Sequence, residues 1–174
     1  MSDQSLEVSE RESRHLMTIW FALVVSIGVY VLLGSIFAGA NQPASLTRAT
    51  AEWGGIRVAL GTLRWAVILV SLGLLFGAAF VARRMLGEQR VLAHAHGATA
   101  DERIRSGFAY LKLYTLVSWG LAESVILLGT LWAILSGQQL AVFPFAIAGG
   151  TALFVLKPEQ VSLLQLAQKM GKVA

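Results

Sequence analysis

The chain has 174 residues, of which 56% are hydrophobic and 14% charged, and its formal net charge is +4. Soluble domains carry about 25% charged residues and slightly under half apolar ones, so this composition excludes an ordinary soluble enzyme and a disordered chain. The absence of cysteine excludes a disulfide framework and a thiolate-ligated metal. We therefore expect an integral membrane protein. Its partner is the lipid bilayer rather than nucleic acid, because basic residues concentrate on the cytoplasmic segments of such proteins.

The chain begins with a polar segment and a long apolar run. Residues 1–15 mix charges without apolar periodicity, which predicts a polar cytoplasmic tail that is mobile or bound to the membrane surface. Residues 16–38 are uncharged, and about 20 apolar residues suffice to cross a hydrocarbon core of about 30 Å. A cleaved signal peptide would have a shorter apolar core and a basic leader, whereas this leader holds Glu7, Glu10 and Glu12. We therefore expect a retained first span.

Three further apolar runs follow at 65–84, 111–135 and 140–156. The second run ends at an arginine pair that suits the membrane interface. Residues 136–139 separate the third and fourth runs and are too few to do more than turn, which predicts an antiparallel hairpin. The fourth run is just long enough to cross.

The segment 157–174 is polar overall but has a helical apolar face. Its apolar residues fall at i, i+3, i+4 and i+7, namely Leu163, Leu166, Ala167 and Met170. Such a helix lies on a membrane surface or packs on a partner subunit. The predicted fold class is therefore all-α, with a transmembrane domain of four helices at 16–156 and a short amphipathic C-terminal helix.

Basic residues predict the orientation of the chain. With four spans, both termini and the middle segment lie on one side, together with eleven of the fourteen Lys and Arg residues. The other side holds three: Arg48, Arg57 and Arg64. Because cytoplasmic segments are enriched in Lys and Arg, we expect both termini in the cytoplasm and place the chain in a bacterial inner membrane. Arg57 and Arg64 would share a helical face, which suits an anion site or contact with lipid headgroups.

Glu123 is the one charged residue in the interior of the third run, twelve residues from either end, whereas Lys112 stands at the start of the run. A charge at that depth costs at least about 2.5–3.5 kcal/mol, and every Lys and Arg lies at the end of a run. We therefore expect a largely protonated carboxyl with hydroxyl partners, and Ser26 and Tyr30 in the first run are the candidates. Thr130 and Gly120 share the face of Glu123, so that face is expected to point at protein.

The sequence around this carboxyl has a local resemblance to a known family. Residues 119–129, WGLAESVILLG, resemble the carboxylate helix of the proteolipid c subunit of rotary ATP synthases, which has alanine before the glutamate and glycine six residues after it. The matching residues are Ala122, Glu123 and Gly129. The resemblance implies reversible protonation of Glu123 against a partner surface. The chain as a whole also resembles small uncharacterised bacterial four-span membrane proteins, a resemblance that supplies no activity.

Three roles of Glu123 stay open at this point. The carboxyl could be a neutral hydrogen-bonding group that fixes the register of two helices, a proton or ion relay, or one half of a buried pair with a partner subunit. Ionisable groups within membranes are often functional, which keeps the second role under consideration beside the first.

Small residues spaced four apart predict where helices approach closely. The candidates for helix packing form one pair on each of the last three runs: Gly73 and Gly77, Gly120 and Ser124, and Ala148 and Ala152.

His94 and His96 are weak candidates for a metal site, because two histidines in an alanine- and glycine-rich segment are more often simply solvated. All three histidines lie outside the apolar runs, which excludes a bis-histidine haem within the bilayer. No metal or cofactor is therefore predicted.

The sequence shows no nucleophile–base pair, phosphate loop or two-carboxylate site. We therefore expect a small non-enzymatic subunit or accessory factor of a larger membrane complex, with other membrane protein subunits as partners. The alternative is a proton- or ion-translocating homo-oligomer that uses Glu123.

Overall fold

The computed structural model describes residues 3–40, 50–53, 56–157 and 159–172. These residues form six α-helices, a 3₁₀ turn at Gln139–Ala141 and a short antiparallel pair of strands, β1 (Thr50–Trp53) and β2 (Ile56–Ala59). The helices are α1 (Asp3–Ala40), α2 (Leu60–Met85), α3 (Glu88–Ala93), α4 (Ala100–Ser136), α5 (Val142–Val155) and α6 (Gln160–Lys172). The predicted helical class is confirmed, while the strand pair was not predicted. Arg48 lies outside the described residues.

Three helices are long and apolar enough to cross a membrane, within Glu7–Ala40, Gly61–Met85 and Ala100–Ser136. They correspond to the first three predicted spans and indicate a membrane protein. The fourth predicted span is shorter as a helix, because α5 has 14 residues. At 1.5 Å per residue α5 rises about 21 Å, less than the hydrocarbon thickness of about 30 Å. The described helices therefore establish three possible spans, one fewer than expected.

Residues 3–15 are not a separate tail, because they continue α1 as helix from Asp3. Ser9 and Ser13 are buried, and the Ser13 hydroxyl donates to the carbonyl of Ser9 one turn earlier. Glu12 forms an ion pair with Lys112 of α4. The sequence predicted a tail because residues 3–15 contact the rest of the protein through small polar side chains and an ion pair. Such contacts leave no hydrophobic periodicity.

The C-terminal segment forms the predicted amphipathic helix, α6, and its apolar face packs on its own chain. Leu163, Ala167 and Met170 are buried in the same core as Ile104 and Phe108 of α4. Met170 lies directly against Gly107, and Arg103 donates to the carbonyl of Gly171 at 3.0 Å. This face is therefore covered within the chain, rather than by a membrane surface or a partner subunit.

One end of the molecule is a polar helical layer made of the start of α1, α3, the start of α4 and α6. Lys169 of α6 lies 2.6 Å from Glu88 of α3. The first turn of α4 has a complete capping box, in which Thr99 accepts from the Glu102 amide and Glu102 accepts from the Thr99 amide. Both chain ends that the structure describes therefore lie on the same side of the apolar helices.

The apolar part of the fold is organised around α4, which packs against α1, α2 and α5. Gly137 ends α4 with a φ of 66°, which favours glycine, and the chain turns back into α5. Helix α5 ends beside Trp20, whose indole donates to the Leu153 carbonyl at 3.0 Å. The Trp119 indole donates to the Leu156 carbonyl at 3.2 Å. Because the last carbonyls of a helix lack partners within it, these two indoles cap α5.

Candidate functional site: the Glu123 carboxyl

Glu123 of α4 meets two hydroxyl groups of α1. The Ser26 Oγ and the Tyr30 Oη each lie 3.0 Å from Glu123 Oε1. Ser26 and Tyr30 are four residues apart and so lie on the same face of α1, one turn above the other. The structure thus brings together the carboxyl and both hydroxyls that the sequence singled out, all on one carboxyl oxygen.

The Ser26 hydroxyl also lies 2.7 Å from the carbonyl oxygen of Leu23. A hydroxyl has one proton, and a carbonyl oxygen can only accept. The single proton of the Ser26 hydroxyl is therefore shared between these two acceptors, while Tyr30 donates to the same carboxyl oxygen. This arrangement gives the Glu123 carboxyl two hydroxyl donors from α1.

The carboxyl is only partly buried within the chain. Its second oxygen, Oε2, receives no hydrogen bond from any described residue. Beside it runs a row of exposed residues on α4 that we call the open strip, which consists of Leu113, Leu116, Val117, Gly120, Leu127 and Leu131. These positions follow the helical repeat, so they form one continuous apolar face with Glu123 at its edge.

Thr130 does not reach the carboxyl. Its hydroxyl donates to the Ile126 carbonyl at 3.0 Å and lies 3.4 Å from the Tyr30 carbonyl. Its methyl group lies near Gly34 of α1. Thr130 therefore belongs to the contact between α1 and α4 and is separate from the hydroxyl cluster at Glu123. The expectation that Gly120 faces protein is wrong within this chain, because Gly120 is exposed.

Most of the predicted packing residues do not make the close helix contacts. A Cβ added to Gly73 or Gly120 would meet nothing within 4 Å, and one added to Gly77 would meet Leu121 at an ordinary 3.5 Å. Ser124 donates to the carbonyl of Gly120 at 2.7 Å within its own helix. Ala148 and Ala152 are partly buried on α5.

The close approach is between α4 and α5, at glycines outside the predicted pairs of small residues. A Cβ on Gly149 would lie 2.5 Å from Ile126 and 2.7 Å from the backbone oxygen of Ala122. A Cβ on Gly129 would collide with Phe145. Gly149 has Phe145 and Leu153 four positions away, so the pair motif does not detect it. Gly129 forms such a pair with the buried Ala133, but that pair was not among the predicted ones.

The histidines have other partners. His94 stacks on Tyr110 with 4.0 Å between ring centroids, and its Nδ1 lies 2.8 Å from the Arg90 carbonyl. The backbone amide of His96 donates to Ser106. Among the described residues, no group of three or more potential metal ligands comes together.

The expected shared face of Arg57 and Arg64 is not present. Arg57 lies in β2, and α2 begins three residues later, at Leu60. Arg64 alone is on the helix, exposed near its start.

In comparisons with known proteins, no family model, curated protein or solved structure matches this chain.

Proposed function

We propose that the protein is a small non-enzymatic subunit or accessory factor of a larger membrane assembly, and that a partner helix covers the open strip of α4 next to Glu123. The observation that carries the proposal is the partly exposed carboxyl with an oxygen that no described residue hydrogen-bonds. A polar group facing hydrocarbon lacks hydrogen-bond partners, which costs free energy. A covering helix removes that cost and supplies a partner for Oε2.

The proposal includes four crossings, with α5 as the fourth. Gln139 lies against Gly39, and Lys157 lies over the ring of Trp20, 4.9 Å from its centroid. Residues 139–157 therefore extend alongside residues 20–39 of α1. The nineteen steps from residue 20 to residue 39 rise about 28 Å, close to the hydrocarbon thickness of about 30 Å. The polar layer that holds both described chain ends is then the cytoplasmic side of a bacterial inner membrane, in accord with its basic residues.

A second candidate is a proton-translocating homo-oligomer, favoured by the Ser26 and Tyr30 hydroxyls that both meet the Glu123 carboxyl. A protonated carboxyl between Ser26 and Tyr30 can release its proton to an approaching partner surface and regain it later. In this candidate the occupant of the open strip is another copy of the chain.

Site-specific photocrosslinking tests both candidates. A photoreactive residue at Leu127 or Leu131 of the open strip is compared with one at Leu69 or Phe76, which are exposed on α2. We expect a crosslink to a different membrane protein from the strip positions and lipid adducts from the control positions. Crosslinks to the same chain would replace the subunit proposal by the homo-oligomer. Lipid adducts from all four positions would refute both.

Glu123→Gln separates a structural role from a relay. The amide keeps the size and hydrogen bonds of the acid but cannot titrate, so assembly should stay normal in either case. Glu123→Leu removes the hydrogen bonds to Ser26 and Tyr30, each about 0.6–1.7 kcal/mol within a membrane, and should weaken assembly. Infrared spectroscopy should show a protonated carboxyl band at neutral pH that Glu123→Gln removes. Absence of that band would contradict the neutral acid that is expected from the depth of Glu123 in the apolar run.

A further inference from the structure

A cleft separate from Glu123 lies between α2 and α5, with α4 as its floor. Its volume is about 400 Å³, which falls in the range of small-molecule sites, about 300–1,000 Å³. Val125 and Trp132 form the floor, Ile68 and Leu72 line the α2 side, and Phe145 and Ala148 line the α5 side. Apart from Ser71 and one polar end the cleft is apolar, so its occupant is hydrocarbon along most of its length.

Polar groups lie at one end of the cleft. Arg64 of α2 and Gln138 of the turn between α4 and α5 both line it and are exposed. Arg64 forms no ion pair with any residue in the described part of the chain. An unpaired guanidinium beside an amide suits a phosphate group, which accepts charge-assisted hydrogen bonds from arginine.

Ser71 supplies a polar group deeper in the cleft. Its side chain is 96% buried, and its hydroxyl has no hydrogen-bond partner among the described residues. Other hydroxyls of the apolar helices donate to the carbonyl four residues earlier, as Ser118, Ser124 and Thr130 do. A buried hydroxyl without a partner is unfavourable, so an acceptor on a bound molecule would stabilise it.

The length of the cleft indicates the kind of molecule. From Arg64 to Leu75, both of which line the cleft, α2 rises about 16 Å. That distance is about half of the hydrocarbon thickness of about 30 Å, which is the depth of one leaflet. A lipid of one leaflet has its phosphate at the surface, ester carbonyls below it and acyl chains through the rest of that depth.

We propose that this cleft binds one anionic glycerophospholipid, with its phosphate at Arg64 and Gln138, an ester carbonyl within reach of Ser71 and an acyl chain on Val125 and Trp132. The site rests on membrane insertion and is independent of a partner at Glu123. It can therefore be tested on the isolated chain, whatever the outcome at the open strip.

The test is native mass spectrometry of the delipidated protein in detergent, titrated with phosphatidylglycerol or with phosphatidylcholine of the same acyl chains. We expect one retained phosphatidylglycerol per chain and weaker retention of phosphatidylcholine. Arg64→Gln should lower phosphatidylglycerol affinity about tenfold or more, since it removes a charged hydrogen bond. Ala148→Phe should block the cleft and lower the affinity for both lipids. The matched controls are Arg83→Gln, at the other end of α2, and Ala79→Phe, on its exposed face.

Fluorescence provides a second measurement if Ala148→Phe fails to fold. Phosphatidylglycerol with brominated acyl chains should quench a tryptophan signal that Trp132→Phe removes. Equal retention of phosphatidylglycerol and phosphatidylcholine would overturn the site. So would equal losses of lipid affinity in the control variants Arg83→Gln and Ala79→Phe. Complete competition by glycerol phosphate would show a headgroup site without an acyl-chain site and would likewise overturn the proposal. Crosslinking of a protein segment to the cleft would show that a helix, not a lipid, occupies it.

Discussion

Gly149→Ala tests the contact between α4 and α5 by adding one methyl group. The new Cβ would lie 2.7 Å from the backbone oxygen of Ala122 and 2.5 Å from Ile126. A side chain can turn away, but a helix backbone oxygen cannot, so α5 must shift. Overpacking of this kind costs about 1–3 kcal/mol.

The adjacent Gly150 provides the matched control. A Cβ on Gly150 would meet Ile27 at 3.5 Å, which is ordinary contact. Both substitutions gain the same helix propensity, up to about 1 kcal/mol for alanine over glycine, so that gain cancels in the comparison. Gly150→Ala should therefore be more stable than Gly149→Ala by about 1–3 kcal/mol.

The assay is reversible unfolding in mixed detergent micelles, followed by far-ultraviolet circular dichroism. Gly73→Ala, which would meet nothing within 4 Å, adds a second control on α2. If Gly149→Ala is as stable as Gly150→Ala, the two helices do not approach as closely as the structure places them, and the packing argument fails.

Two further predictions concern the polar layer. Thr99→Ala removes the side-chain cap of α4 and should lower the free energy of unfolding by about 1 kcal/mol, whereas Thr99→Ser should keep the cap; thermal unfolding measures both. Met170→Ala leaves a cavity against Gly107 and should cost about 2–5 kcal/mol, while Met170→Leu should cost less than about 1.5 kcal/mol. Limited trypsin cleavage at Lys169 should be faster in Met170→Ala, and an unchanged rate would show that α6 is held by other contacts.

The positions of the apolar helices could be predicted because length and hydropathy determine whether a segment can cross a bilayer. The contacts that the remaining segments make within the chain could not be predicted. Residues 3–15 are helical because small serines and the Glu12–Lys112 ion pair fit against the rest of the layer, and neither leaves a hydrophobic pattern. The apolar face of α6 was visible in the sequence, but its pattern is the same for a membrane surface, another subunit or its own chain.

At Glu123, too, the sequence predicts one property and not another. It predicts the depth of a residue in the membrane, but not the direction in which the residue faces. Ser26 and Tyr30 are 10 and 14 residues into the first run, and Glu123 is 12 residues into the third. At 1.5 Å per residue all three lie within about 3 Å of one depth, so their proximity follows once the two helices pack. Facing direction has no such rule, because lipid is as apolar as a packed leucine and the hydrophobic effect does not select a face. Gly149 was therefore not predicted, and Gly73 and Gly120 were predicted to pack closely although a Cβ added to either would meet nothing within 4 Å.

The same reasoning explains why the open strip differs from the other exposed apolar faces. In a membrane, lipid would satisfy the outward leucines and phenylalanines of α1 and α2, and a partner helix would gain little by replacing it. At the open strip the apolar face borders the Glu123 carboxyl, whose Oε2 receives no hydrogen bond from any described residue. Gly120, which leaves open space beside that carboxyl, lets another backbone come close. A covering helix therefore gains a hydrogen bond and close packing at one place, and that makes this face of α4 the proposed partner interface.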